Sequence, residues 1–120
     1  MQNPIQTLVA RPAGGFLFLL AAAFLEVLGD SFFQSALHRP SATPRWLLYA
    51  GGAAILTLYG FVVNLPHWDF GRLLGVYVAF FFVAAQIVAG IRFHQKPSLP
   101  TLVGGFMIVV GGVVISLWQR

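Results

Sequence analysis

Two acidic residues, Glu26 and Asp30, lie one helical turn apart within a long apolar stretch of the chain. Residues four apart share a face of an α-helix, and Gln34 continues that face by a further turn. A charged acid at the middle of a membrane costs ~2.5–3.5 kcal/mol, so an acid placed there needs a bundle interior, water or a bound proton. A carboxyl group that exchanges its proton for a cation is the minimum that proton-coupled transport requires.

The sequence offers these acids no obvious basic partner near the middle of a membrane. An unpaired carboxylate in an apolar environment is suited to a cationic ligand. We therefore interpret Glu26 as the group that binds either a proton or a substrate cation, and Asp30 as a second acid that tunes it. The alternative is a structural role, in which a protonated acid is hydrogen-bonded inside a helix bundle.

Aromatic residues that can line such a site occur in two other apolar stretches. Tyr77 and Phe81 are four residues apart and share a helix face, and Tyr59 lies in the preceding stretch. Aromatic rings opposite a carboxylate attract organic cations, and a buried phenol needs a hydrogen-bond partner that an acid can supply. We include these three residues in the predicted site, whereas Phe80 and Phe82 are predicted to pack against helices or face lipid.

The elements that position these residues are predicted to be four transmembrane helices. The chain is 58% hydrophobic and only 8% charged, which excludes an ordinary soluble domain, a disordered tail and a disulfide scaffold. A bilayer core requires about 20 mostly apolar residues per helix. Four stretches meet this requirement, at Gly14–Leu37, Trp46–Val63, Gly71–Phe93 and Leu99–Trp118. We predict an all-α four-helix bundle forming one membrane domain over residues 1–120, with short loops that pack successive helices antiparallel and Asp69 as a helix cap.

Glycines in the fourth stretch form a stripe of small residues. Gly104 and Gly111, like Gly105 and Gly112, are seven residues apart and recur on one face of the helix. Such stripes let helices approach closely in lipid. We predict that all four pack across a dimer interface, with packing against the third helix as the alternative.

The basic residues flank the predicted helices, so the net charge of +4 is attributed to membrane anchoring rather than to nucleic-acid binding. One side of the membrane receives three of them and the other four: Arg11, Arg72 and Arg120 against Arg39, Arg45, Arg92 and Lys96. This small bias is compatible with one fixed topology or with insertion in both directions, which would give an antiparallel pair.

The three histidines occupy separate loops without metal-ligand spacing, and no nucleophile–base pattern or nucleotide-binding motif occurs. We expect no metal, no cofactor and no enzymatic activity.

The segment Ala23-Phe24-Leu25-Glu26-Val27-Leu28-Gly29-Asp30 resembles the first helix of the small multidrug resistance family, within the drug/metabolite transporter superfamily. The third loop, Phe93 to Pro100, and the glycine stripe are also similar to that family. The resemblance implies an antiparallel homodimer in a bacterial inner membrane, with Glu26 as the shared proton and substrate carboxylate and Tyr77 as the aromatic lining the site. Asp30 and the pair Gly71-Arg72 depart from the usual pattern and indicate an atypical branch.

The function predicted from this resemblance is proton-coupled export of small organic cations by alternating access. Quaternary ammonium, polyaromatic and guanidinium-type cations remain open as substrates. One alternative is a flippase, or a flippase subunit, for an isoprenoid-linked sugar lipid. Another is a non-transporting membrane subunit that scaffolds a partner.

Overall fold

The computed structural model describes Pro4, residues 12–40 and residues 42–118. Four helices account for most of this part of the chain, and none of its residues forms a β-strand. They are α1 (Pro12–His38), α2 (Arg45–Val63), α3 (Phe70–Phe93) and α4 (Leu99–Leu117). Arg11 and Arg120, two of the seven residues in the charge count, lie outside the described residues.

Each of the four helices is long and apolar enough to cross a membrane. The shortest two have 19 residues, which at 1.5 Å per residue gives about 28 Å, close to the thickness of the hydrocarbon core. The bounds of all four helices differ from those of the four predicted stretches by at most two residues. The protein is therefore a multi-pass membrane protein.

The residues at the helix ends show which local groups begin or end each helix. Ser98 caps α4 by accepting a hydrogen bond from the backbone N–H of Thr101 at 3.4 Å, and His94 ends α3 in the left-handed conformation with φ 54°. Asp69 is the N-cap residue of α3, as predicted, but its side chain makes no capping hydrogen bond. Asp69 is exposed, and its backbone carbonyl accepts a hydrogen bond from Leu73 N–H at 2.8 Å.

The helices form an open row in the order α2, α1, α3, α4 rather than a closed bundle. Backbone contacts join α1 to α2, α1 to α3, and α3 to α4, but not α2 to α3. The prediction that successive helices pack together therefore fails for this one pair. The reason is the length of their connection, because residues 64–69 can span about 20 Å when extended, enough to cross the end of α1.

A close contact between backbones joins α1 to α2 at two glycines. A Cβ atom added to Gly29 would lie 3.1 Å from the carbonyl oxygen of Gly52, and one added to Gly52 would lie 3.0 Å from the carbonyl oxygen of Gly29. Small residues permit this approach, which apolar attraction alone would not produce in lipid. The contact brings α2 close enough to α1 for side chains of α2 to reach over it towards α3.

Candidate functional site

Glu26 lies close to the middle of α1 and faces the groove between α2 and α3. Its side chain is half-buried and lines a shallow, open cavity of about 260 Å³. Because no backbone contact joins α2 to α3, only side chains of these two helices bridge the groove over the face of α1 that carries Glu26. The open row thus makes a mid-membrane carboxyl group accessible.

Tyr77 from α3 holds the carboxyl group of Glu26. The tyrosine hydroxyl donates a hydrogen bond to Glu26 Oε1 at 2.6 Å, and it lies 3.4 Å from the carbonyl oxygen of Ala22. The Tyr77 side chain is only 5% exposed, so its phenol is fixed by packing. The acid supplies the hydrogen-bond partner that the sequence predicts for this phenol. A carboxyl oxygen accepts this bond whether or not the acid is ionised, so the contact fits both states of an exchange.

Aromatic rings form the walls around this carboxyl group. The ring of Tyr77 lies 5.8 Å from that of Tyr59 on α2 and 6.2 Å from that of Phe81 one turn further along α3. The cavity is lined by Glu26, Tyr59, Leu74, Tyr77, Val78 and Phe81. One carboxyl group among aromatic faces, with no basic residue among the described lining residues, is an arrangement that attracts an organic cation.

Asp30 does not belong to this cavity, although the sequence places it on the same helical face as Glu26. Its side chain is exposed and does not line the space around Tyr77. Four residues rotate a helix by about 400°, so each step of four moves a side chain about 40° around the axis and about 6 Å along it. That offset carries Asp30 out of the groove, and Gln34, a turn further, is also exposed.

Two lining residues, Leu74 and Val78, were not among the predicted site residues. They lie four apart on α3 and flank Tyr77. Because residues four apart share a helix face, helical periodicity could have predicted that both line the cavity. Apolar side chains that line a cavity and those that face lipid are, however, indistinguishable by residue type.

The four glycines of α4 divide into two pairs with different surroundings. Gly105 contacts the ring of Phe82 on α3, and a Cβ atom added to Gly112 would lie 2.6 Å from Ala79 Cβ. This pair packs within the chain, which is the alternative the sequence left open, because α3 covers that side of α4. Gly104 and Gly111 have nothing within 4 Å of an added Cβ atom among the described residues. Only that second pair is free to meet another chain.

Phe80 and Phe82 pack as the sequence predicts, at least in part. The ring of Phe80 lies 6.1 Å from that of Phe16 on α1, beside an apolar cavity of about 360 Å³ between α1, α3 and α4. Phe82 fills the space that Gly105 leaves on α4. These phenylalanines therefore join helices rather than line the Glu26 cavity.

The chain is similar to a UPF0060 membrane protein from Herpetosiphon aurantiacus. The two are 35% identical over 71 residues, which is 58% of this chain and 64% of the relative. The chain thus spans less than two thirds of the length of that relative. No family model matches the chain. No solved structure matches it either.

Proposed function

We propose that this membrane protein is a proton-coupled exporter of small organic cations. The observation that carries the proposal is the Glu26 carboxyl group in the middle of a membrane-spanning helix. It lies in an aromatic cavity that no basic residue of the described chain lines. Keeping an acid there is costly in lipid, and exchange of a proton for a cation explains why it is kept.

Transport in this proposal is a competition for one carboxyl group. A proton bound to Glu26 neutralises the site, and an arriving cation replaces that proton while its organic part contacts the rings of Tyr59 and Phe81. Tyr77 holds the carboxyl oxygen in place in both states through its 2.6 Å hydrogen bond. Alternating exposure of the site to the two sides of the membrane gives the exchange its direction. The cargo leaves chemically unchanged, so the protein is not an enzyme in this scheme.

In this proposal a second copy of the chain packs over the open groove and forms a homodimer. The Glu26 cavity is open, and no atom of the described residues lies within 4 Å of a Cβ added to Gly104 or Gly111 on α4. The near balance of basic residues between the two sides is compatible with an antiparallel pair. The resemblance of the α1 segment around Glu26 to the small multidrug resistance family supports the same homodimer. The location of the protein in a bacterial inner membrane is proposed from that resemblance alone.

The direct test measures protons released when cations bind. Purified protein in detergent and weak buffer receives a quaternary ammonium, a polyaromatic or a guanidinium-type cation, and a pH indicator reports release. Glu26→Gln keeps the size of the side chain and its hydrogen-bond acceptor but removes the exchangeable proton. Asp69→Asn is the matched control, because Asp69 is an exposed acid outside the cavity.

The parent and Asp69→Asn are expected to release protons in response to at least one cation class, and Glu26→Gln to release none. Equal release from Glu26→Gln and the parent would disprove the exchange mechanism. Absence of release from the parent with all three classes, together with normal assembly of Glu26→Gln in the membrane, would favour a scaffold role instead.

A further inference from the structure

A second polar cavity lies at the end of the molecule where α1 and α3 finish and α2 begins. It encloses about 450 Å³, and two arginines line it, Arg39 just after α1 and Arg92 in the last turn of α3. No carboxylate is among its described lining residues. It is separate from the Glu26 cavity and shares no lining residue with it.

Aromatic rings and one hydroxyl group hold the two guanidinium groups in place. The guanidinium carbon of Arg39 lies 4.1 Å from the ring centre of Phe93, and that of Arg92 lies 5.2 Å from the ring centre of Phe32. Arg92 also donates a hydrogen bond to Ser35 Oγ at 3.0 Å. Stacked guanidinium groups keep their in-plane N–H donors available. The site is thus organised before any ligand binds.

One donor in this cavity is buried without an acceptor. Arg39 Nε makes no hydrogen bond within the described chain and is shielded from solvent. Buried donors without partners are rare, because each loses its hydration without compensation. Arg72 Nε is in the same situation, but Arg72 donates through Nη2 to the carbonyl oxygen of Ser116 and lines none of the three cavities described above. Arg39, which lines the cavity, therefore retains one uncompensated donor.

The surrounding charge also favours an anion. Arg45 and Lys96 lie at the same end of the helices as Arg39 and Arg92, because the first and third loops share one side of the membrane. Asp69 lies at the opposite end, beside the start of α3. Basic residues at the membrane surface attract anionic groups, each contributing about fivefold in affinity.

We propose that the Arg39–Arg92 cavity binds a phosphate group, with a phospholipid headgroup as its source. Guanidinium groups match phosphate through paired hydrogen bonds, and the helix ends place both arginines at the depth of the headgroups. The remaining lining is partly apolar, with Leu47 and Leu48 beside the arginines. A ligand that joins a phosphate to a hydrocarbon chain satisfies both parts. The proposal does not depend on what Glu26 binds.

Lipid retention tests this site. The full chain is reconstituted in nanodiscs of phosphatidylcholine with a minor share of phosphatidylglycerol, extracted into mild detergent, and analysed by native mass spectrometry for bound lipid. Arg39→Gln combined with Arg92→Gln is compared with Arg45→Gln, which removes one charge from the same end outside the cavity. A parallel arm titrates glycerol 3-phosphate and inorganic phosphate in solution. Arg39→Lys keeps the charge but not the paired donors, and thermal melting verifies that each variant is folded.

Arg45→Gln is expected to lower phosphatidylglycerol retention by about fivefold, as the loss of one surface charge does, and the double variant by more than about 25-fold, the loss that two such charges would give. Arg39→Lys is expected to fall between the parent and the double variant, because a lysine offers only a point charge. Binding of soluble phosphate with the same dependence on Arg39 and Arg92, without lipid retention, would keep the phosphate site and assign it a soluble ligand. Absence of binding in both arms, or equal losses in the double variant and in Arg45→Gln, would overturn the proposal.

Discussion

Removing the Tyr77 hydroxyl while keeping its ring isolates the hydrogen bond that ties α3 to Glu26. The Tyr77→Phe ring retains its neighbours, Tyr59 at 5.8 Å and Phe81 at 6.2 Å, so the change deletes one donor and little packing. Glu26→Met removes the acceptor at similar length. A double-mutant cycle of these two substitutions yields the coupling energy between the two side chains.

The structure sets the expected size of this coupling. Hydrogen bonds between membrane helices average about 0.6 kcal/mol and reach about 1.7 kcal/mol. The distance of 2.6 Å between Tyr77 Oη and Glu26 Oε1 is short, and the donor is buried, so we expect about 1–2 kcal/mol. A carboxylate accepts a stronger hydrogen bond than a neutral acid. The coupling is therefore measured at about pH 5 and at about pH 8.

The assay is unfolding in mixed micelles with increasing denaturing detergent, followed by circular dichroism at both pH values. A control cycle pairs Glu26→Met with Tyr49→Phe, because the Tyr49 ring packs on Phe33 at 5.5 Å and does not line the cavity. That control should be additive. A coupling below about 0.3 kcal/mol at both pH values would show that Tyr77 does not hold Glu26, which would refute the site described above.

Three further predictions follow from the placement of other residues. Asp30→Asn should leave cation-induced proton release within about twofold of the parent, measured with the same pH indicator, because Asp30 is exposed and outside the cavity; a loss as large as that of Glu26→Gln would return Asp30 to the site. Gly112→Val should destabilise the monomer by about 1–3 kcal/mol in detergent unfolding through its clash with α3, whereas Gly111→Val should spare the fold and weaken self-association in crosslinking; equal effects of the two would contradict the division of the stripe. Tyr59→Leu should weaken binding of an aromatic cation about threefold to thirtyfold by removing one ring of the wall, with Tyr49→Leu unchanged in calorimetry, and no loss with Tyr59→Leu would exclude that ring from binding.

The sequence was sufficient for the helices and for the central contact of the site. Four apolar stretches of bilayer length predict four spans almost to the residue, because the thickness of the membrane fixes both the length and the composition of each helix. The pairing of Glu26 with Tyr77 was predictable because a mid-membrane acid and a buried phenol each need a polar partner. The first prediction uses the length of the apolar stretches, and the second uses the need of buried polar groups for partners. A lipid environment constrains both features strongly.

The order of the helices and the membership of the cavity could not be predicted in this way. Lipid tails and neighbouring helices are equally apolar, so residue types do not reveal which face of α4 packs on α3. Gly111 and Gly112 are adjacent in sequence, yet one faces open space and the other contacts Ala79. Asp30 lies outside the groove because a step of four residues turns the helix about 40° beyond a full turn. The rule that residues four apart share a face does not resolve this offset.

The open groove has an energetic consequence for Glu26. An ionised acid at this depth costs ~2.5–3.5 kcal/mol, and the hydrogen bond from Tyr77 returns about 1–2 kcal/mol at most. A single chain therefore leaves a deficit of roughly 0.5–2.5 kcal/mol whenever Glu26 is charged, and its cavity is open. The deficit disappears when the acid is protonated, when a cation neutralises it, or when another chain or water covers the groove. The protonated and the cation-bound states both belong to the proposed exchange cycle, so the energetic cost of the ionised, unoccupied site favours the binding of its two ligands.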